Sequence, residues 1–217
     1  MHCFRRTALA LFLFITSLAV AAPEKWAATI EKFTVADVNQ PPAKGGVLFI
    51  GSSSIVKWTT LAQDFPGVPV INRGFGGSEL SDSVFYADRI AIPYRPRVVV
   101  LYAGENDLQL GQTPAAVQAS FRAFCAKIHA ALPQTRIVYI SIKASPSRAK
   151  ITDKIVAANE LIAAECRRDP RLTFADVFHP MLDAQGNPRP ELFVKDLLHL
   201  NATGYAIWVP IVAPLLK

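Results

Sequence analysis

The sequence predicts an α/β protein in which a five-stranded parallel sheet carries helices on both of its faces. Five short apolar runs, each bounded by glycine, proline, asparagine or a charged residue, are continuous enough to be strands buried on both faces. Segments with helical spacing separate these runs, and such alternation is typical of a doubly wound parallel sheet. The predicted strands are Val47–Ile50, Val68–Ile71, Val98–Leu101, Ile137–Ile142 and Leu172–Val177.

Two of the predicted helices have clear boundaries. The first begins after Thr113, a favourable N-cap, has Pro114 in its first turn, and ends before Pro133. The second covers about residues 147–168 and ends at Asp169-Pro170, because a residue that precedes proline disfavours helical backbone. In both helices the apolar residues recur at helical spacing, so one face of each helix is expected to pack on the sheet.

The remaining segments complete the alternation of strands and helices. Shorter helices are predicted after Ser53, over Asp82–Ile90 and from Ala202 to the end of the chain. Residues 23–46 are predicted to form a first helix followed by a loop. No linker-like segment or internal repeat interrupts the rest, so residues 22–217 are predicted to form a single domain.

The first 21 residues have the composition of a secretory signal peptide. A basic segment at residues 2–6 precedes an almost wholly apolar segment at 7–20, and Ala19 and Ala21 form an A-x-A cleavage pattern. The apolar run is shorter than the roughly 20 residues of a spanning helix, which favours cleavage over a membrane anchor. The protein is therefore expected to be periplasmic or secreted, with no stable membrane insertion after cleavage.

The charge of the expected mature chain argues against a polyanionic partner. The whole chain has a formal net charge of +6, and loss of Arg5 and Arg6 with the signal peptide lowers it by two. The remaining basic residues are not clustered, so neither nucleic acid nor an anionic membrane is expected as a partner.

Cleavage also removes Cys3 and leaves Cys125 and Cys166. An even pair of cysteines in an exported protein can form a disulfide, whereas two buried apolar thiols are the alternative, and the sequence leaves this open. Neither cysteine stands among residues that suggest a metal site or a cysteine nucleophile.

A serine triplet follows the first predicted strand, at the sheet edge where ligands bind in such folds. Gly51 permits a sharp turn, and Ser52-Ser53-Ser54 then enters a helix whose N-terminus offers free N–H groups. Helix capping alone would also explain a serine here. Ile55 stands where G-x-S-x-G requires its second glycine, which disfavours an ordinary α/β-hydrolase.

Glycine-rich and amide-bearing segments follow the next two strands. The segment Asn72–Ser78 contains three glycines, but it is not G-x-G-x-x-G and no phosphate-binding lysine follows, which disfavours a nucleotide site. In Gly104–Asp107, the amide of Asn106 is a candidate oxyanion donor, and a turn or helix cap is the alternative.

An Asp-x-x-His pattern lies near the C-terminus. Asp196 and His199 can meet on one turn, where the carboxylate orients the imidazole. A histidine held in this way is a competent general base near neutral pH. On its own, such a pair would usually be a surface contact, but its position directly before the last predicted helix favours a functional role.

Together and in this order, these four groups resemble the SGNH (GDSL-like) hydrolase family. The resemblance implies a three-layer α/β/α, flavodoxin-like fold with a five-stranded parallel sheet. It implies that Ser53 is the nucleophile and that Asp196 and His199 complete the catalytic triad. It also implies an oxyanion hole formed by the backbone N–H groups of Ser53 and Gly77 and by the side-chain amide of Asn106.

The match covers the chain from about Val47 to the end and has one departure. The family usually has an aspartate directly before the nucleophile, and Ser52 stands there in this sequence. Because that aspartate is not a triad member, the chemistry is expected to survive. The triplet also leaves Ser52 and Ser54 as alternative reactive serines.

The resemblance implies a serine esterase that hydrolyses carboxylic esters through an acyl-enzyme on Ser53, without a metal or organic cofactor. Short loops suggest an open site suited to short acyl chains or O-acetyl groups. The expected partner is a small-molecule ester, such as an acetylated carbohydrate or a lysophospholipid.

Two other functions stay open. An O-acyltransferase would use the same triad, and a non-catalytic binding module is a weaker alternative. Arg73, Lys143 and Arg148 are candidates for contacts with a polar or anionic substrate group, although solvated surface charge is the more common role for Lys143 and Arg148. The sequence does not indicate the oligomeric state.

Overall fold

The structure, a computed structural model, describes residues 24–217, so the expected signal peptide at residues 1–21 lies outside the described residues. In the described part, five strands form one all-parallel sheet in the order β2-β1-β3-β4-β5. The predicted α/β fold with a five-stranded parallel sheet is confirmed. The strands are β1 (Val47–Gly51), β2 (Val70–Gly74), β3 (Val98–Tyr102), β4 (Arg136–Ile140) and β5 (Leu172–Ala175).

Eight α-helices accompany the sheet in residues 24–217. None of the helices described is long and apolar enough to cross a membrane. Thr113 caps α6 as predicted, since its hydroxyl accepts a hydrogen bond of 3.1 Å from the Ala116 N–H. The helices are α1 (Glu24–Asn39), α2 (Ser53–Val56), α3 (Leu61–Asp64), α4 (Leu80–Ile90), α5 (Glu105–Gln109), α6 (Pro114–Ala131), α7 (Thr152–Cys166) and α8 (Ala202–Val212).

The helices form one layer on each face of the sheet. Alternate residues of β1 point to opposite faces: Leu48 and Ile50 join a core with α1, α4, α6 and α7, whereas Val47 and Phe49 join a second core with α3 and α8. Both faces of the central strands are therefore buried, which explains their unbroken apolar sequence. Full burial of a side chain of this kind contributes about 1.5–3 kcal/mol.

Several element boundaries differ from the predictions. β4 ends at Ile140 and β5 at Ala175, each two residues before the predicted end. β2 begins at Val70 and not at Val68, because the Val68 N–H closes a turn onto the Phe65 carbonyl and Pro69 has no N–H to give to a strand. The helix predicted from about residue 147 begins only at Thr152, because Pro146–Ile151 form a separate 3₁₀ turn before it.

The strand order brings three loops together at one edge of the sheet. β1 lies between β2 and β3, so the chain moves to opposite sides of β1 in its first two crossovers. At such a switch point the loops after neighbouring strands diverge and leave a crevice at the carboxyl ends of the strands. The serine triplet, the glycine-rich turn and Asn106 follow β1, β2 and β3 respectively, so all three border this crevice.

Candidate active site

The turn that carries the serine triplet depends on glycine at position 51. Gly51 has a φ of 130°, and a Cβ there would lie 2.0 Å from the Tyr102 carbonyl oxygen, so no side chain fits. The chain then enters α2 with Ser53 as its first residue. Ser52 and Ser54 are buried, whereas Ser53 is partly exposed. The turn thus presents only the middle serine to the crevice.

Ser53, His199 and Asp196 form a continuous chain of hydrogen bonds. Ser53 Oγ lies 2.9 Å from His199 Nε2, and His199 Nδ1 lies 2.6 Å from Asp196 Oδ2. Because a carboxylate only accepts, Nδ1 carries the proton and Nε2 is left to accept the Ser53 hydroxyl proton. The arrangement can therefore raise the nucleophilicity of Ser53 by removing its proton.

The Asp196 carboxylate is fixed by its own turn. Asp196 Oδ1 accepts hydrogen bonds of 2.9 Å from the backbone N–H groups of Leu198 and His199. Partial desolvation acts to raise the pKa of Asp196, but the hydrogen bonds from the His199 ring and from these two N–H groups hold the pKa well below its usual value. Asp196 therefore stays ionised across the neutral range and can stabilise an imidazolium.

A second Asp-x-x-His pair, not singled out in the sequence, has nearly the same local geometry. Asp176 Oδ2 lies 2.6 Å from His179 Nδ1, and Asp176 Oδ1 accepts from the His179 N–H at 3.3 Å. This pair follows β5 and lines a pocket of about 140 Å³ with α7, and no serine contacts the His179 ring within residues 24–217. Of the two pairs, only the one at Asp196 reaches the serine triplet.

The glycine turn after β2 lies directly against Ser53. A Cβ on Gly76 would be 3.7 Å from the Ser53 Cβ, and Gly77 has a φ of 77°, a left-handed conformation that favours glycine. Within residues 24–217, the N–H groups of Ser53 and Gly77 have no hydrogen-bond acceptor. Both groups are therefore available to an anionic ligand atom.

Asn106 lies at the start of α5 and connects the three loops. Its Nδ2 donates to Ser52 Oγ and to the Ser78 carbonyl oxygen, both at 2.9 Å. The bond to Ser78 orients the amide toward the glycine turn. The sequence did not predict the contact with the buried Ser52, the residue directly before Ser53.

Two of the three cations considered as candidates for substrate contacts are buried in ion pairs. Arg73 binds Asp37 and donates to the Tyr94 hydroxyl, which fastens α1 to the sheet edge. Lys143 is fully buried against Glu105. Neither charge is free for a ligand, so Arg73 and Lys143 are no longer candidates for substrate contacts. The burial of Lys143 also contradicts the alternative of a solvated surface charge.

Arg148 is the third of these cations and differs from the other two. Its guanidinium forms no ion pair within residues 24–217, and it is only partly exposed.

Among residues 24–217, no cluster of three or more His, Cys, Asp or Glu side chains is placed to hold a metal ion.

The site lies within a stretch that matches a known family. Residues 50–207 match the GDSL-like lipase/acylhydrolase family, and this stretch includes Ser53, Gly77, Asn106, Asp196 and His199. The chain belongs to the GDSL-like lipase/acylhydrolase family. This membership places it among the hydrolases that act on acyl esters. A search of curated proteins finds no match.

Solved structures share the fold of this GDSL-like hydrolase at low sequence identity. A GDSL-like lipase from Bacteroides thetaiotaomicron has a TM-score of 0.75 at 19% identity, over 87% of this chain and 97% of that chain. A carbohydrate esterase family 3 protein from Talaromyces cellulolyticus has a TM-score of 0.62 at 17% identity, over 79% and 96%. The OSK domain of Drosophila Oskar has 0.63 at 14%, over 78% and 87%. At these identities the likeness shows a shared fold alone, and a shared fold does not imply a shared function.

The two cysteines within residues 24–217 of this GDSL-like hydrolase are free thiols. Both Cys125, on α6, and Cys166, on α7, are buried. Burial raises the pKa of Cys166 to about 12 and also raises that of Cys125, so both thiols stay protonated at neutral pH.

The carboxyl group of Asp107 makes the stability of this GDSL-like hydrolase depend on pH. Burial raises the pKa of Asp107 to about 6, although its carboxylate accepts hydrogen bonds from the Leu80 N–H at 3.0 and 3.2 Å. Between the unfolded pKa of about 4 and this value, the folded protein keeps a proton that the unfolded chain releases, so stability falls as pH rises. Above pH 6 the full cost, about 2–3 kcal/mol, is present.

The substitution Asp107→Asn should remove this cost, because a neutral amide oxygen can still accept from the Leu80 N–H. The free energy of unfolding should rise by about 2 kcal/mol at pH 8 and by only a few tenths of a kcal/mol at pH 4, where the carboxyl group is protonated in the folded state and about half protonated in the unfolded chain. Urea unfolding of both proteins at the two pH values measures this. An equal effect at both values would show that titration of Asp107 is not the cause.

Proposed function

We propose that this GDSL-like hydrolase is a serine esterase in which Ser53 attacks the carbonyl carbon of short-chain carboxylic esters. The observation that carries the proposal is the continuous chain of hydrogen bonds from Ser53 through His199 to Asp196. A serine paired with a base, whose orientation a third group fixes, is the arrangement that nucleophilic catalysis requires.

The first half of the reaction forms the acyl-enzyme. His199 Nε2 takes the Ser53 hydroxyl proton as Oγ bonds to the carbonyl carbon, and the carbonyl electron pair moves to oxygen. Asp196 stabilises the imidazolium that forms. The tetrahedral intermediate then collapses, the bond to the alcohol breaks, and His199 protonates the departing alkoxide.

Three donors are proposed to hold the negative oxygen in this step. The backbone N–H groups of Ser53 and Gly77 have no other acceptor within residues 24–217. Asn106 supplies a third donor, because an oxyanion is a stronger acceptor than the Ser52 hydroxyl and would displace it from the amide. The bond to the Ser78 carbonyl oxygen keeps the amide in place during this exchange.

The second half of the reaction releases the acid. Water loses a proton to His199 Nε2 and attacks the acyl carbon, and the same donors hold the oxygen. Collapse of this intermediate breaks the bond to Ser53 Oγ, which recovers the proton from His199. The products are a carboxylic acid and an alcohol, and no cofactor is required in this proposal.

The preference for short acyl chains is proposed from the exposure of the site. The side chains of Asp196 and His199 are 47% and 17% exposed, so the triad lies near the surface. An open site gives a long acyl chain little apolar surface to bury, so short chains and O-acetyl groups are favoured.

Hydrolysis of p-nitrophenyl acetate, butyrate and octanoate tests this function. We expect turnover of the acetate and a kcat/KM that falls with chain length. In separate reactions, an acetylated sugar is added as an alternative ester and a free sugar is added as an alcohol acceptor. The comparison distinguishes hydrolysis from transfer to an alcohol. Turnover that depends on an alcohol acceptor would contradict the hydrolase proposal and favour an O-acyltransferase.

Substitution of Asn106 tests the proposed oxyanion hole. Asn106→Ala removes one donor that acts in the transition state, so kcat should fall by about 10²- to 10³-fold while KM changes little. The exposed Asn187 provides a matched control, and Asn187→Ala should leave kcat unchanged. A kcat for Asn106→Ala within a few-fold of wild type would remove Asn106 from the proposed hole.

Export is a further part of the proposal. The order of basic, apolar and small residues in positions 1–21 supports cleavage after Ala21 and a periplasmic or secreted protein. The N-terminal residue of protein recovered outside the cytoplasm should be Ala22. Recovery of intact protein from the cytoplasm alone would contradict export.

A further inference from the structure

A fully buried ion pair lies beside the catalytic residues and has no role in the chemistry described so far. Lys143 Nζ is 2.5 Å from Glu105 Oε2 and 3.0 Å from the Tyr102 hydroxyl, which itself donates to Glu105 at 3.1 Å. Ser145 Oγ donates to the other carboxylate oxygen at 3.3 Å. The two charged side chains are 1% and 6% exposed, so the pair is essentially dry.

Stability alone explains such a pair poorly. Removal of two charges from water is costly, and apolar or neutral replacements of similar shape are often as stable or more stable. Burial lowers the pKa of Lys143, and attraction to Glu105 only partly opposes this shift. Stabilisation of the fold therefore does not account for a charged pair at this position, and a functional role accounts for it better.

The pair connects the two parts of the proposed active site. Glu105 directly precedes Asn106 at the start of α5. Lys143 and Ser145 belong to the loop after β4, and two residues further the Ser147 N–H donates to the Leu197 carbonyl oxygen at 3.1 Å. Leu197 lies inside the Asp196–His199 turn. One cluster of contacts thus runs from the oxyanion donor to the catalytic turn.

The catalytic turn needs external support. Leu197 has a φ of 55°, which a residue with a branched side chain rarely adopts, so the turn is strained. Such strain persists only where the surroundings hold it in place. The Ser147 N–H provides one of these contacts, and the Lys143 charge also attracts the Asp196 carboxylate.

We propose that Lys143 and Glu105 are positioning residues that hold Asn106 and the Asp196–His199 turn in the relative positions that ester hydrolysis requires. This inference rests on the proposed serine esterase function. Neither side chain touches the substrate. Because a misplacement of about 1 Å at a catalytic group can cost about 10²-fold in rate, loss of the pair should lower kcat rather than substrate binding.

The test is a neutral double variant, Lys143→Met with Glu105→Gln. Glutamine can accept from one of the Tyr102 and Ser145 hydroxyls through its oxygen and donate to the other through its amide group. No unpaired charge is left buried, so thermal unfolding should stay close to wild type. With p-nitrophenyl acetate, kcat should nevertheless fall about ten- to hundredfold and KM should change by less than about threefold. The first turnover, read as p-nitrophenolate release, should slow by the same factor.

Two further proteins make the result decisive. The control replaces a pair remote from the site, Arg122→Gln with Glu165→Gln, whose 2.6 Å contact joins α6 to α7, and its kcat should equal that of wild type. If the first double variant does not fold, Lys143→Gln with Glu105→Gln decides, because the two amides can bond to each other and to Tyr102 and no charge is left buried. A folded variant with kcat within about twofold of wild type would overturn the positioning role.

The same experiment separates this inference from the proposed function. Wild-type protein that is inactive on the ester, or whose activity survives Ser53→Ala, contradicts the esterase proposal itself. An active, Ser53-dependent wild type with an equally active neutral double variant contradicts only the positioning role of Lys143 and Glu105.

Discussion

The substitution Ser53→Ala should reduce kcat for p-nitrophenyl acetate by about 10⁴-fold or more and leave the fold intact. Ser53 Oγ is the only hydroxyl of the triplet that contacts His199, at 2.9 Å. Its loss removes the atom that forms the acyl bond, whereas the free N–H groups beside it remain. The residual rate should therefore be that of an oxyanion hole without a nucleophile.

The serine triplet supplies its own matched control. Ser54 is buried, and its Oγ has no hydrogen-bond partner among the residues described. Ser54→Ala should leave kcat unchanged and should not destabilise the fold, because an unpaired buried hydroxyl is removed. If Ser54→Ala abolished activity while Ser53→Ala retained it, the assignment of the nucleophile would be wrong.

The substitution His199→Ala should have an effect of the same order, a loss of about 10⁴-fold or more in kcat. His199 is the base that removes the Ser53 proton and the acid that protonates the departing alcohol, so both halves of the reaction depend on it. The double variant Ser53→Ala with His199→Ala should be little worse than either single variant, because the residues act as a unit.

His179 is the control for His199, because it has the same distance to its own aspartate. His179→Ala should leave kcat within about twofold of wild type, since its ring contacts no serine in the described part of the chain. Steady-state kinetics on both variants gives the comparison. Equal losses in the two variants would mean that the local Asp-x-x-His geometry does not identify the base.

The strands could be predicted because burial on both faces of a strand requires an unbroken run of apolar residues in the sequence. Val98–Leu101 is unbroken apolar sequence, and in the structure β3 lies between β1 and β4 with helices on either side. The predicted start of β2 was wrong by two residues. Its boundary depends on a turn between Phe65 and Val68, which apolar periodicity does not reveal.

The chemistry-bearing residues could be predicted from their positions after strands, but their pairings could not. Lys143 and Arg73 follow strands just as Asn106 does, and from the sequence all three were candidates for ligand contacts. Their partners Glu105 and Asp37 lie 38 and 36 residues away along the chain, so only the tertiary structure shows that these charges are already paired.

The two Asp-x-x-His patterns show the same limit at the level of motifs. Both place a carboxylate 2.6 Å from an imidazole, because that contact depends only on four consecutive residues of the chain. What separates them is whether the far nitrogen of the ring reaches a serine, and this depends on where the turn meets α2. In the sequence, only the order of the motifs and its match to a family indicated which of the two pairs belongs with the serine triplet.

The central claim is that Ser53 carries the acyl group during ester hydrolysis. Rapid acid quenching of the protein with p-nitrophenyl acetate, followed by peptide mass spectrometry, tests this claim most directly. We expect one added acetyl group, located by fragmentation on Ser53, and none in the Ser53→Ala variant. An acetyl group on Ser52, on Ser54 or outside the triplet, formed at the rate of turnover, would contradict it.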